Sequence, residues 1–196
     1  MATWMRRLAL AMVTVLPMAC TMAPGATRDQ VPVMRWDHRP EAEIWTTRAL
    51  ASVERHDDDL TELVPADIAA WCPGYVKADE TDRRAFWVGI LSALAKHEST
   101  WNPAASGGGG RWIGLTQIAP GTARAFGCEA TSAGALKDGG ANLSCAVRIA
   151  AVQVGRDGLV AGDGRQGLGR DWAPFRSADK RAEMAAWTRG QSYCQG

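Results

Sequence analysis

A chain of 196 residues, 46% of them apolar, is long enough for one domain with a substantial core and short for two. Its formal charge is +1, and removing Arg6 and Arg7 with an amino-terminal leader leaves −1, so the basic footprint of a nucleic-acid binder is missing. Nine tryptophans beside two tyrosines and three phenylalanines are a skewed aromatic set, in which some rings fill a core and exposed ones suit stacking on sugars.

The opening residues, MATWMRRLALAMVTVLPMAC, join the basic pair Arg6 and Arg7 to an apolar run, Leu8 to Leu16, too short to span a bilayer as a mature helix. They predict a secretory signal over residues 1–19. The end of this segment is similar to a bacterial lipoprotein box, with Ala19 before a lipidated Cys20, although Pro17 stands where such boxes usually carry Leu. The expectation is a periplasmic protein held at the outer membrane by a lipid on Cys20, with residues 20–37 as a tether and 38–196 as the folded domain.

From Pro40 to Arg55, Ile44, Trp45 and Leu50 recur at loosely helical spacing, and the acidic run Asp57 to Asp59 then reads as a solvated loop. A short helix is expected over Asp67 to Trp71 before the turn at Pro73 and Gly74. The clearest helix starts at Asp79 to Thr81, where capping and acidic residues gather, and carries one apolar stripe of Phe86, Trp87, Ile90, Leu91 and Leu94. It delivers Glu98 at its carboxyl end, and Asn102, driven from helical geometry by Pro103, is expected to stop it. Ser106 to Gly110, SGGGG, reads as a flexible loop, and Pro120 to Phe126 as a short helix stopped by Gly127. Asn142 is expected to cap a helix whose inner face holds Leu143, Val147, Ala150, Ala151 and Val154. A glycine-rich loop over 155–170 and a last helix from Ser177 to Arg189 complete a mostly α chain with no convincing strand and no repeat.

With Cys20 consumed by lipidation, four cysteines remain, which an oxidising periplasm allows to pair. Three connectivities are possible; the favoured one joins Cys128 to Cys145, bracketing one compact loop, and Cys72 to Cys194. The first of these would contribute about 3 kcal/mol on the loop-entropy argument. No CxxC pair is present and only three histidines exist, so no zinc site, and no other metal or cofactor, is expected.

Two stretches carry the chemistry: Glu98-Ser99-Thr100-Trp101-Asn102-Pro103, and GLTQIAPGTA over Gly114 to Ala123. In this order and spacing they strongly resemble the catalytic region of the soluble lytic transglycosylase family, which has a lysozyme-like α-helical fold related to that of goose-type lysozyme. The likeness covers about Phe86 to Val154, weakening through Ala141, Asn142 and Leu143. It implies that Glu98 is the catalytic carboxyl, that Ser99 orients substrate, that Gln117 contacts sugar, and that Gly114 and Leu115 turn the chain back close to a peptidoglycan strand. It also implies that Trp101, Asn102 and Pro103 hold Glu98 in place.

Two departures stand out. Gln117 follows Glu98 by one residue more than in the family, so SGGGG holds an insertion. The family's Ala-Tyr-Asn-Ala-Gly segment, whose tyrosine lies near the catalytic carboxyl, is missing; the glycine-rich loop and DWAPFR stand in its place, with Trp172 as a replacement wall or a core residue. The family chemistry uses one carboxyl to cut between N-acetylmuramic acid and N-acetylglucosamine, leaving a 1,6-anhydro sugar. Such a group must be protonated near neutrality, so its pKa should rise from about 4.3 towards about 6 beside apolar neighbours. Leu94, Trp101 and Leu115 are the expected neighbours. His97 reads as a packing or surface residue. The alternatives are a hydrolytic muramidase of goose-lysozyme type, with Asp138 or Asp171 holding water, and a non-catalytic peptidoglycan-binding lipoprotein.

Overall fold

The computed structural model describes Met1 and residues 31–195, so the signal segment, Cys20 and most of the expected tether lie outside the described residues. The fold begins earlier than residue 38. Met34 and Trp36 are buried, the Trp36 indole donates to Thr46 Oγ1, and the Arg35 amide donates to Ser92 Oγ. These residues carry no period, and burial against other elements makes them part of the domain.

Five α-helices form the body: α1 Ala42–Glu54, α2 Glu80–Ser99, α3 Pro120–Ala125, α4 Gly139–Asp157 and α5 Ala178–Arg189. Short 3₁₀ turns punctuate the chain between them, including Ile68–Ala70 where a short helix was expected. Helix α1 packs on α4, and α2 is flanked by α1, α4 and α5. The mostly α, lysozyme-like single domain read from the sequence is the fold observed.

Helix α2 starts as its sequence requires. Asp79 Oδ1 accepts the Asp82 amide at 3.0 Å, and Glu80 and Asp82 lie in the first turn, where carboxylates meet the positive end of the helix dipole. Its packing differs from the expected stripe, because every residue from Ala85 to Leu94 and Ala95 is buried. A helix at the centre of a bundle has no solvent face to keep polar. Phe86 and Trp87 meet Tyr75 edge-on, and the Trp87 indole donates to the Leu60 carbonyl and the Tyr75 hydroxyl. Each such aromatic removed from water contributes about 1.5–3 kcal/mol.

The stop also differs. Thr100 and Trp101 take left-handed backbone, at φ 51° and 56°, and their amides return to the Lys96 and Ala95 carbonyls. The helix therefore ends at Ser99, before Asn102 is reached, and the proline is not what breaks it.

Helix α4 corrects another expectation. Its cap is Asp138, whose Oδ1 accepts the Ala141 amide at 2.8 Å. Asn142 lies inside the helix, fully buried, and joins three segments: Oδ1 accepts from the Thr116 amide and hydroxyl, and Nδ2 donates to the Ile113 and Leu136 carbonyls. The inner face of Leu143, Val147, Ala150, Ala151 and Val154 is buried as expected. Gly158, left-handed at φ 63°, closes the helix, so residues 155–157 of the expected loop are helical. The loop that follows is anchored rather than loose, since Asp67 accepts the amides of Val160, Ala161 and Gly162.

The acidic run is also more than a solvated loop, because Asp57 pairs with Arg84 and accepts the Thr61 hydroxyl. The Arg84 guanidinium holds the Asp57 carboxyl below its ordinary range. Both disulfides form as favoured, Cys72–Cys194 and Cys128–Cys145. Among the described residues no helix is long and apolar enough to cross a membrane, and no acidic, histidine or cysteine cluster is arranged to hold a metal ion.

Candidate active site

Glu98 sits in the last turn of α2, half-buried, and opens into a cleft of about 320 Å³. Three structures fix that last turn. The Trp101 indole reaches back to the Ser92 carbonyl at 2.9 Å, with His38 edge-on to its ring. Ser99 Oγ donates to the Leu115 carbonyl at 2.8 Å. On the far side, Glu183 of α5 binds Arg35, Lys96 Nζ at 2.7 Å and His97 Nε2 at 2.9 Å, and the Arg35 guanidinium, foremost among these partners, holds the Glu183 carboxyl far below its usual range. His97 is thus a packing residue in an ion cluster.

The GLTQ loop supplies the facing wall. Gly114 is left-handed at φ 81°, and a Cβ there would overlap Asn142 and the Leu136 carbonyl, so only glycine lets the chain pass. Leu115 is fully buried beneath it. Thr116 is held by Asn142 on one side, and its carbonyl accepts the Trp172 indole at 2.9 Å on the other. Gln117 emerges into the cleft with left-handed backbone, φ 50°, a conformation that a non-glycine residue keeps only where its surroundings over-determine it. Its amide nitrogen donates to the Gly114 carbonyl.

The glycine run has a structural purpose. Ser106–Gly107 (β1) and Trp112–Ile113 (β2) pair as a two-residue antiparallel hairpin, a strand feature absent from the sequence reading. A Cβ at Gly107 would overlap Gln117 Oε1, and one at Gly108 would overlap the Trp112 ring. Bare backbone here gives both cleft side chains their places. Trp112, 43% exposed with Arg111 against its ring, is the exposed indole among the described residues, whereas Trp36, Trp45, Trp71, Trp87 and Trp172 are buried.

Of the site residues expected from sequence, the structure brings Glu98, Gln117 and Trp172 to one cleft. Ser99, Gly114 and Leu115 do not line it; they hold the wall from behind. Trp172 is both things at once, a buried indole with an edge on the cleft. Trp112, Ile118, Thr122, Asp171 and Arg176 also line it; Ile118 and Thr122 fall within the GLTQIAPGTA stretch and Asp171 and Arg176 within DWAPFR, whereas Trp112 gave no signal in the sequence. Asp138 caps α4 and pairs with Arg48, away from the cleft. Asp171 is on the cleft wall, its Oδ2 accepting the Gln153 amide at 2.6 Å. Tyr75 and Tyr193 are both buried in the core, so no tyrosine faces Glu98 among the described residues.

Burial raises the Glu98 carboxyl to about 7, with attraction from Lys180 opposing it. No described residue donates a hydrogen bond to it. This is more than the rise to about 6 expected from sequence, and it leaves a carboxyl that is a proton donor at neutral pH.

With this geometry in hand, residues 76–153 match the family model of the transglycosylase SLT domain. The chain carries a lysozyme-like SLT domain. Among solved structures it is similar to a glutamate-to-glutamine variant of DslA, at 29% identity and a TM-score of 0.76, over 85% of this chain and 99% of that one. It is equally similar to wild-type DslA, at 29% identity and a TM-score of 0.75, over 84% and 98% of the two chains. No protein of curated function matches the chain. The matched SLT segment contains Glu98, the hairpin, Gln117 and most of α4, but the cleft wall from Asp171 to Arg176 lies beyond it.

Proposed function

We propose that this SLT domain is a peptidoglycan lytic transglycosylase that cuts the β-1,4 bond between N-acetylmuramic acid and N-acetylglucosamine and leaves a 1,6-anhydro-N-acetylmuramic acid end. The observation that carries the reading is a carboxyl, raised to about 7 by burial, on the wall of a cleft with an exposed indole. Glu98 protonates the glycosidic oxygen as the bond breaks. The substrate's own N-acetyl group stabilises the sugar cation, and its C6 hydroxyl then attacks the anomeric carbon while Glu98 takes the hydroxyl proton. The carboxyl ends the cycle protonated, ready for the next strand. Trp112 offers a face for a sugar ring, and Gln117 a carboxamide to its hydroxyls.

Activity depends on the protonated form, so the rate at limiting substrate should fall tenfold per pH unit above about 7. Release of fragments from purified sacculi between pH 5 and 9 measures this, and a flat profile across that range would exclude Glu98 as the acid. In the same digests the ends should resist borohydride.

Asp171 favours a second reading. A carboxylate held by Gln153 on the cleft wall is able to orient water, which would make the enzyme a hydrolytic muramidase with borohydride-reducible ends. The absent tyrosine segment is the sole support for a non-catalytic binding protein, and a carboxyl tuned for proton transfer argues against it.

We also propose that the protein is a periplasmic lipoprotein, on the strength of the basic and apolar leader and Cys20. Cys20→Ala should move it from the membrane fraction to the soluble periplasm; retention in membranes would refute the anchor.

A further inference from the structure

On the α1 side of α4 lies a second cavity of about 330 Å³, as large as the catalytic cleft. It is bounded by the last turns of α1, the outer face of α4, and the loop 127–130, which the Cys128–Cys145 disulfide pins to α4. Its chemistry is unlike that of the cleft. Arg48, Arg55 and Arg148 line it together with His56 and one carboxylate, Glu129, and no tryptophan, tyrosine or phenylalanine offers a sugar platform. In a chain with 22 basic and 21 acidic residues, this is a local concentration of cation that the overall charge does not supply.

The guanidiniums are placed rather than merely nearby. A Cβ at Gly140 would overlap Arg48 Cδ, and one at Gly127 would stand 3.2 Å from Arg148 Nη2, so both side chains lie across bare backbone. Gly140 sits within α4, where glycine costs about 1 kcal/mol relative to alanine. Arg148 is steadied by its Nε on the Phe126 carbonyl, which leaves its terminal nitrogens open. Arg48 is shared with Asp138 at 3.1 Å, and Arg55 has no ion-pair partner among the described residues. Burial, foremost, and then the neighbouring Arg148 hold the His56 imidazole below its ordinary value, with the Asp59 carboxylate opposing them.

We propose that this cavity binds a phosphate group. Guanidinium forks match pairs of phosphate oxygens, and three of them, set against Glu129 in the lining and Asp138 shared by Arg48, leave a net cationic site that suits a phosphate oxyanion. The phosphate is either free in solution or carried on a lipid headgroup.

Titration of the full chain with inorganic phosphate, at pH 7 and constant ionic strength, tests the site by NMR. Saturable shifts are expected at the His56 ring and the amides of Gly127 to Ala130. Arg55→Glu, at an exposed position with no side-chain partner among the described residues, should weaken binding at least about tenfold with only a small fall in melting temperature, since it also sets a carboxylate at the carboxyl end of α1. Arg148→Gln should weaken it as well. Co-sedimentation with phosphatidylglycerol vesicles, compared with phosphatidylcholine vesicles, separates the two sources: binding lost in Arg55→Glu assigns the headgroup, and phosphate shifts without such vesicle binding assign the free anion. Unmoved resonances, or an Arg55→Glu protein that binds phosphate as tightly as the parent, would overturn the proposal.

Discussion

Glu98→Gln is expected to lower fragment release from sacculi by at least about a thousandfold, because the amide keeps the shape of the side chain but can neither give nor retrieve a proton. Binding of glycan strands should survive, since Trp112, Trp172 and the GLTQ wall are untouched. The same substitution has a stability signature with a defined sign. The folded-state pKa of Glu98 is raised to about 7, so the wild type loses stability as pH climbs from the unfolded value of about 4.5 through 7, where a half-buried carboxylate must ionise. Glutamine carries no such cost. Melting temperatures of the two proteins should coincide near pH 4 and separate above pH 7 with the variant higher. A surface carboxylate would give no such divergence, and undiminished lytic activity in the variant would remove Glu98 from the mechanism altogether.

The second large effect is on stability. Cys72–Cys194 ties the turn before α2 to the carboxyl terminus across 122 residues, and the Gly74 amide donates to the Cys194 carbonyl beside it. Closing so long a loop constrains the unfolded chain by about 5 kcal/mol on the entropy model, against about 3 kcal/mol for Cys128–Cys145 over 17 residues. Cys72→Ser with Cys194→Ser should therefore lose at least about a third of the roughly 5–15 kcal/mol that holds a typical domain folded. Denaturant titration of the oxidised parent and the double variant measures the difference. The Cys128 and Cys145 pair of substitutions should cost less; the reverse order would mean that native-state packing around the short loop dominates over loop entropy.

What was legible in the sequence was local. Asp79, Glu80 and Asp82 announce the start of α2, and the spacing of Glu98, Ser99, Gly114 and Gln117 announces the SLT segment that holds the candidate site, because both depend on residues near one another in the chain. Asn142 shows the opposite case. Asparagine before an apolar run reads as a cap, but here its four hydrogen-bonding positions are spent on Thr116, Ile113 and Leu136, contacts that only the tertiary fold supplies. The SGGGG run reads as flexible for the same reason: glycine signals freedom in a sequence, whereas Gly107 and Gly108 are needed for what presses on them. Trp112 is one exposed aromatic in a short hairpin and belongs to no period. Asp171 to Arg176 reach the cleft from about 75 residues beyond Glu98, through a loop anchored by Asp67, and no spacing rule connects them.

Transglycosylation and hydrolysis differ by the fate of one water molecule, and Asp171 sits where it could favour the second. The decisive measurement is mass spectrometry of the fragments that the wild-type protein releases from purified sacculi in water enriched in oxygen-18. If Glu98 works alone with the substrate's C6 hydroxyl, the fragments carry no label and are lighter by one water than hydrolysis products. Fragments of full hydrolytic mass with one oxygen-18 at the new reducing end would contradict that account and make the protein a muramidase.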